Sequence, residues 1–263
     1  MKALISFLLL LVPFGQAIPV NPETVTAASE REEYRWYIKR NTEHLPPQLP
    51  SEFSFLADCD AWYCDLRDSA EKTLYLTFDA GYENGNIAKI LDALAEEDVP
   101  AAFFVLEHLV KDEPALIRRM LDEGHLVCNH TARHKNLSRA SDKALAEELG
   151  RMEQVYRDTM GCEISKYYRP PEGAFSVSNL KAARALGYKT VFWSFAYADW
   201  ANDKQPSREL ALKKIGDNIH PGAVLLLHPT SATNAAIMKE LIVGLKAQGY
   251  RFGTLDELTA ERG

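Results

Sequence analysis

Short apolar runs alternate with longer amphipathic stretches from Thr73 onward, and this alternation predicts the fold class. The runs are rich in β-branched and aromatic residues, which favours strands. The stretches between them repeat apolar residues every three or four positions, which favours helices. Strands alternating with helices imply a mainly parallel sheet. The pattern therefore predicts an α/β domain of about seven parallel strands, either open or closed as a barrel.

Individual elements can be placed from the same pattern. Strands are expected at 73–78, 101–105, 126–128, 167–168, 190–195 and 223–227, with a weaker one at 250–252. Helices are expected at 87–97, 114–123, 142–160, 178–186, 208–218 and 234–248. Gly124, Gly161, Gly187 and Gly249 each follow a predicted helix, where the left-handed conformation of a C-cap favours glycine.

The region before Thr73 has a different composition. Lys2, an apolar run over 3–12 and small residues at 15 and 17 form the pattern of a signal peptide, residues 1–17. The run is shorter than the roughly 18 residues that span a bilayer, so an uncleaved anchor is the less favoured interpretation and no stable membrane span is expected. The composition of residues 18–71 predicts an N-terminal extension with a polar helix over 30–40. Its aromatic residues are expected to pack it onto the main domain, residues 72–263.

The net charge and the cysteine content limit the expected binding partners and disulfide bonds. The formal net charge is −7, so the chain has no general attraction for phosphate backbones and nucleic acid is not an expected partner. We expect a monomer. The four cysteines are too few for a disulfide scaffold, although export permits a bridge between Cys59 and Cys64. The sequence leaves open that bridge or buried, unpaired thiols.

Unusual polar residues directly follow several predicted strands. Asp79, His130, Arg169 and His228 each come at or just after a strand end, and Asp199 with Trp200 follows the strand at 190–195. The carboxyl ends of parallel strands share one face, so these side chains are expected in one pocket. Each residue has an ordinary alternative on its own, such as a helix-capping aspartate or a buried histidine. Their joint placement favours a catalytic site.

Five ordered segments carry a specific resemblance. Thr77-Phe78-Asp79-Ala80, His130-Thr131-Ala132-Arg133-His134, Arg169-Pro170-Pro171-Glu172-Gly173, Asp199-Trp200 and Leu225-Leu226-Leu227-His228 resemble the motifs of NodB-homology polysaccharide deacetylases, carbohydrate esterase family 4. The resemblance spans about residues 72–258 and implies a distorted (β/α) barrel. The longer segment 77–85 resembles the delta-lactam-biosynthetic de-N-acetylase branch, which acts on muramic acid in peptidoglycan.

The resemblance also implies a role for each site residue. Asp79 would be the general base, Arg169 its ion-pair partner, His228 the general acid and Asp199 the partner of His228. Trp200 and Leu226 would form the apolar wall for the acetyl methyl group. The backbone N–H near Glu172 would be an oxyanion donor.

Ala80 departs from the family pattern. Metal-dependent members have an aspartate there, which completes a metal site with two histidines corresponding to His130 and His134. The resemblance therefore implies a divalent metal, with zinc favoured by the imidazole ligands, that is weakly held because one anionic ligand is missing.

Several functions stay open from the sequence. The leading interpretation is removal of the acetyl group from N-acetylmuramic acid in peptidoglycan glycan strands, before muramic delta-lactam formation in spore cortex. This implies a secreted or cell-wall location, or the forespore intermembrane space. The alternatives are a deacetylase of N-acetylglucosamine polymers, such as chitin oligomers or exopolysaccharide, and an inactive carbohydrate-binding protein.

Overall fold

The long strand at Lys72–Ala80 lies in the interior of a parallel sheet and carries Asp79 near its carboxyl end. The structure, a computed structural model, describes residues 29–67 and 72–260, so the predicted signal peptide lies outside the described residues. The strands are β1 (Tyr34–Arg35), β2 (Ala61–Trp62), β3 (Lys72–Ala80), β4 (Ala102–Val105), β5 (Leu126–Asn129), β6 (Ser165–Tyr168), β7 (Ala174–Phe175), β8 (Lys189–Val191), β9 (Phe195–Ala196), β10 (Val224–Leu227) and β11 (Tyr250–Phe252). The α-helices are α1 (Ile87–Glu96), α2 (Glu107–Asp112), α3 (Pro114–Asp122), α4 (Asp142–Met160), α5 (Val177–Ala185), α6 (Arg208–Asn218), α7 (Ala232–Ala247) and α8 (Leu255–Leu258).

The main sheet is a curled, half-closed barrel. Its strands run in the order β2-β8-β6-β5-β4-β3-β10-β9, all pairs parallel, and β11 pairs with the start of β3. Beyond β2, Cys64 forms an antiparallel bridge with Ala223 just before β10, so the sheet folds back toward itself. The predicted distorted (β/α) barrel is confirmed, with eight strands on the main path where the pattern indicated about seven.

Two predicted elements are wrong. The single strand expected at 190–195 is two strands, because the chain leaves β8 at one end of the sheet and crosses to pair Phe195 with Leu225 at the other. The helix expected at 30–40 is a short 3-10 turn followed by β1, which pairs antiparallel with β7. Tyr34 and Trp36, two residues apart, pack inward in the extended conformation, and this tertiary contact outweighs local helical propensity.

The remaining helices lie close to their predicted positions. In α1, Ile87, Ile90, Leu91 and Leu94 are all fully buried, which accounts for its amphipathic pattern. Helix α4 begins where the Ser141 side chain accepts a hydrogen bond from the Ala144 N–H. The pattern missed α2 and α8, helices of six and four residues that are too short to show a clear period.

The N-terminal extension packs on the sheet through aromatic residues. The Trp36 ring stacks on Phe192 at 4.5 Å between centroids and on Phe53 at 5.4 Å. All four cysteines are free thiols, and Cys59 and Cys64 are buried. The structure therefore has buried, unpaired thiols at these two positions and no bridge between them. No helix within residues 29–67 and 72–260 has the length and apolar character needed to cross a bilayer.

Candidate active site

One cleft of about 630 Å³ opens at the carboxyl ends of the strands and gathers most of the predicted site residues. The register explains the convergence, because β3 lies between β4 and β10 while β5 pairs with β6. The cleft is lined by Asp79, Gly81, Tyr82, Leu106, His108, His130, His134, Glu172, Gly173, Trp193, Ala196, Trp200, Leu226, His228 and Thr230. Arg169 and Asp199, both fully buried, lie behind this lining and support it.

Asp79 is a carboxylate held in its ionised form. Its Oδ1 accepts a 2.8 Å hydrogen bond from Arg169 Nη1, and its Oδ2 lies 3.5 Å from His130 Nε2. Burial raises the pKa of Asp79, but the nearby His130 and Arg169 lower it by more. The pKa of Asp79 therefore lies below its usual value. Because His130 is neutral near pH 7, we attribute this stabilisation to the charges of Arg169 and His228. A poised carboxylate, about 12% exposed, therefore faces the cleft.

Arg169 is fixed on every side. Besides Asp79, it donates from Nε to Val191 O at 2.8 Å and from Nη2 to Thr77 Oγ1 at 2.9 Å. Its guanidinium carbon lies 4.1 Å from the centroid of the Phe104 ring. Burial lowers the pKa of Arg169, but an arginine remains protonated in proteins. The permanent charge and the rigid fork explain why this position orients Asp79 as well as neutralising it.

His228 and Asp199 form a second charge pair across the cleft. His228 Nδ1 lies 2.7 Å from Asp199 Oδ1, and the His228 backbone N–H donates to Asp199 Oδ2 at 2.8 Å. Asn234 Nδ2 also donates to that Oδ2, at 2.7 Å. Burial lowers the pKa of His228, but the bond to Asp199 raises it more, so it lies above its usual value. The other ring nitrogen, Nε2, is the atom available to give a proton to a bound molecule.

His130 and His134 form an edge-to-face pair with ring centroids 4.9 Å apart. His130 Nδ1 lies 2.8 Å from Arg169 O, and burial lowers the pKa of His130 to about 4, so the ring is neutral near pH 7. Imidazole nitrogens suit a zinc-type ion. Ala80, however, is fully buried among the apolar residues of the core, and the described residues contain no group of three or more ligands placed for a metal. His130 and His134 can thus supply two ligands of a metal site, but the described residues do not supply a complete set of ligands.

The remaining predicted residues lie at the cleft wall. Leu226 is almost fully buried, and the Trp200 ring, 59% exposed, meets the His228 ring edge-on at 6.0 Å between centroids. Glu172 lies in a 3-10 turn, Pro171–Gly173, and its backbone is left-handed at φ 59°. Its carboxylate accepts a 2.7 Å hydrogen bond from Arg35 Nη1, so the side chain faces the N-terminal extension.

Sequence reasoning missed several contributors. Thr77 holds Arg169, and Thr77 Oγ1 itself donates to Leu225 O at 2.6 Å. Asn234, in the first turn of α7, holds Asp199. Thr77 occurs inside the first motif, so its position next to Asp79 was an available signal. Asn234 is six residues beyond His228 in a helix, and nothing in the local pattern marks it.

The chain is similar to several known proteins. Residues 67–191 match the family model described as polysaccharide deacetylase. The chain is 42% identical over 237 residues to the Bacillus subtilis peptidoglycan-N-acetylmuramic acid deacetylase PdaA, covering 89% of each chain. It resembles the solved structure of that protein, a family 4 carbohydrate esterase, with a TM-score of 0.83, 41% identity and coverage of 87% of this chain and 97% of the other. A Bacillus cereus peptidoglycan-N-acetylglucosamine deacetylase is 34% identical, with coverage of 72% of this chain and 88% of the other.

Proposed function

Because the chain belongs to the polysaccharide deacetylase family, we propose that it removes the N-acetyl group of N-acetylmuramic acid in peptidoglycan glycan strands. The observation that carries the chemistry is the pair of charged couples, Asp79 with Arg169 and His228 with Asp199, in one cleft. The muramic sugar is supported by the relative that matches 89% of the chain and is named for that substrate. In this proposal the product precedes muramic delta-lactam formation in spore cortex.

The two couples supply what amide hydrolysis requires. Asp79 takes a proton from water, and the water oxygen bonds to the acetyl carbonyl carbon to give a tetrahedral intermediate. The backbone N–H at Glu172 stabilises the oxyanion of that intermediate. His228 gives a proton to the sugar nitrogen, the C–N bond breaks, and acetate and a free amine result. Leu226 and Trp200 form the apolar surface on which the acetyl methyl group rests.

The proposed setting follows from the substrate. Glycan strands lie outside the cytoplasmic membrane, so residues 1–17 would direct export and be cleaved. The forespore intermembrane space is the specific location we propose, and the enzyme is proposed to act as a monomer.

We expect chelation to change the rate by less than about tenfold, since Asp79, Arg169 and His228 hold their geometry through protein contacts alone. A weakly held zinc-type ion at His130 and His134 would supply Lewis-acid polarisation of the carbonyl when bound. Acetate release is measured after dialysis against a chelator and again during zinc titration, with metal content read by mass spectrometry. Complete loss of activity without metal, restored by one equivalent, would contradict this expectation.

We expect Asp199→Asn to move the basic limb of the rate profile to lower pH. His228 acts in its protonated form, so activity falls as pH rises through its pKa. Asp199 raises that pKa against the effect of burial, and its neutral replacement lets the pKa drop. The measurement is kcat for acetate release against pH. Asp203→Asn is the matched control, because Asp203 is exposed. A basic limb that stays in place in Asp199→Asn would show that Asp199 does not set the charge of His228.

The substrate is tested with defined oligosaccharides. We expect a mass loss of one acetyl group on muramic residues of glycan strands, and little change in chitin oligomers or exopolysaccharide. Deacetylation of chitin oligomers alone would favour the N-acetylglucosamine alternative. Binding to strands with no acetate release would favour the inactive carbohydrate-binding alternative.

A further inference from the structure

The N-terminal strap, residues 30–40, crosses three of the loops that carry site residues. Its Glu33 reaches the loop after His134, its Arg35 and Trp36 reach the turn at Pro171–Gly173, and Arg40 Nη1 donates to Ala196 O at 3.0 Å. The matched family region, residues 67–191, does not include the strap. The strap therefore adds contacts to the active-site loops that the five motifs do not contain.

Glu33 and Arg35 form a continuous polar bridge between two of these loops. Glu33 Oε2 accepts hydrogen bonds from Ser138 Oγ at 2.6 Å and Asn136 Nδ2 at 3.0 Å. Glu33 Oε1 accepts from Arg35 Nε at 2.9 Å, and Arg35 Nη1 donates to Glu172 Oε2 at 2.7 Å. The loop after His134 is thus tied to the turn at Pro171–Gly173 through two side chains.

The two loops that the bridge joins contain unfavourable backbone conformations. Thr131 and His134 on one side, and Glu172 on the other, have φ between 55° and 71° without being glycine. Such residues cost of order 1 kcal/mol or more each and persist only where the surroundings fix them. Next to Glu172, Trp36 N donates to Gly173 O at 2.7 Å. A side chain at Gly173 would meet Trp36 and Trp193 at 3.0 Å.

We propose that Glu33 and Arg35 are positioning residues that hold the turn at Glu172 in place for catalysis. Arg35 contacts the turn that carries the proposed oxyanion donor, and Glu33 links Arg35 to the loop after His134. Loss of either side chain should therefore weaken stabilisation of the intermediate more than it weakens substrate binding. The match with the muramic acid deacetylase covers 89% of this chain. The residues outside the match are too few to leave out Arg35, so the match includes it. This inference rests on the function proposed above.

The test compares Arg35→Gln and Glu33→Gln with the controls Lys39→Gln and Glu32→Gln, two exposed strap residues outside the bridge. We expect Arg35→Gln to lower kcat on muramic glycan strands about tenfold with KM within twofold, a part of the roughly 100-fold effect of a lost oxyanion donor. Glu33→Gln should have a smaller effect in the same direction. The conservative variant Arg35→Lys keeps the positive charge between Glu33 and Glu172 and should recover part of the kcat that Arg35→Gln loses. Both controls should match the wild-type protein.

Amide hydrogen exchange of 134–140 and 171–175 provides a readout that does not depend on activity. Exchange in both segments should rise in Arg35→Gln and stay unchanged in Lys39→Gln. The two variants should have equal melting temperatures. Unchanged exchange, or unchanged kcat in Arg35→Gln, would overturn the proposal. A raised KM at constant kcat would make Arg35 a substrate contact instead. A wild-type protein that releases no acetate refutes the proposed function, whereas the exchange result still decides whether the bridge holds the loops.

Discussion

Asp79→Asn should lower kcat for acetate release by about a thousandfold, because the carboxamide cannot take the proton of the attacking water. A positioned general base contributes roughly a hundredfold to ten-thousandfold to such reactions. Asp79 is also the only carboxylate that the Arg169 guanidinium contacts among the described residues. The variant therefore leaves a buried cation without its counter-charge, and we expect its free energy of unfolding to fall by about 3 kcal/mol.

The measurement separates these two effects. Acetate release is followed at saturating glycan strand and at a temperature where circular dichroism shows the variant fully folded. Asp122→Asn, at an exposed position on α3, is the control and should retain full activity. Equal rates for Asp79→Asn and the wild-type protein would remove Asp79 from the role of general base.

The placement of the catalytic couples was predictable from sequence because it depends on topology. Asp79, Arg169 and His228 each occur at a strand end, and parallel strands bring those ends to one edge whatever the details of packing. The register then sets the distances. Leu227 pairs with Phe78, so His228 and Asp79 come side by side. A one-dimensional pattern contains this information once the strands are identified.

The N-terminal strap was not predictable in the same way. Its polar composition suggested a helix, and only the pairing of Tyr34 with Phe175 and the stacking of Trp36 on Phe192 make it extended. Those partners are more than 130 residues away in the chain, beyond any local pattern. The Glu33 and Arg35 bridge has the same origin. Sequence reasoning therefore found the chemistry of the cleft and missed part of what holds it in shape.

The position of Ala80 on β3 bears on whether the cleft can hold a metal. Asp79 and Ala80 are neighbours near the end of β3, where successive side chains point to opposite faces. Asp79 faces the cleft, while Ala80 is fully buried with the apolar core. Alanine carries no metal ligand, so position 80 adds no anionic group to the cleft. The charge balance of the cleft then depends on Arg169 opposite Asp79.

Arg169→Met should have the largest effect on stability among the site variants, because it removes the charge that keeps Asp79 ionised. Losing one partner of a buried pair costs about 3 to 5 kcal/mol. The pKa of Asp79 should rise, and the acidic limb of kcat/KM should move to higher pH with it, since activity requires the ionised carboxylate.

The pH dependence of stability tests the cause. In the wild-type protein the lowered pKa of Asp79 contributes stability that is present above the unfolded value of about 3.9 and is lost as pH falls through the folded pKa. Arg169→Met lacks that contribution, so its deficit in free energy of unfolding should be greatest near pH 7 and shrink below pH 4. Denaturant titrations at both pH values measure the deficit. Arg208→Met, whose exposed pair with Glu240 is worth less than about 1 kcal/mol, is the control. A deficit of equal size at both pH values would mean that Arg169 stabilises the fold through packing alone.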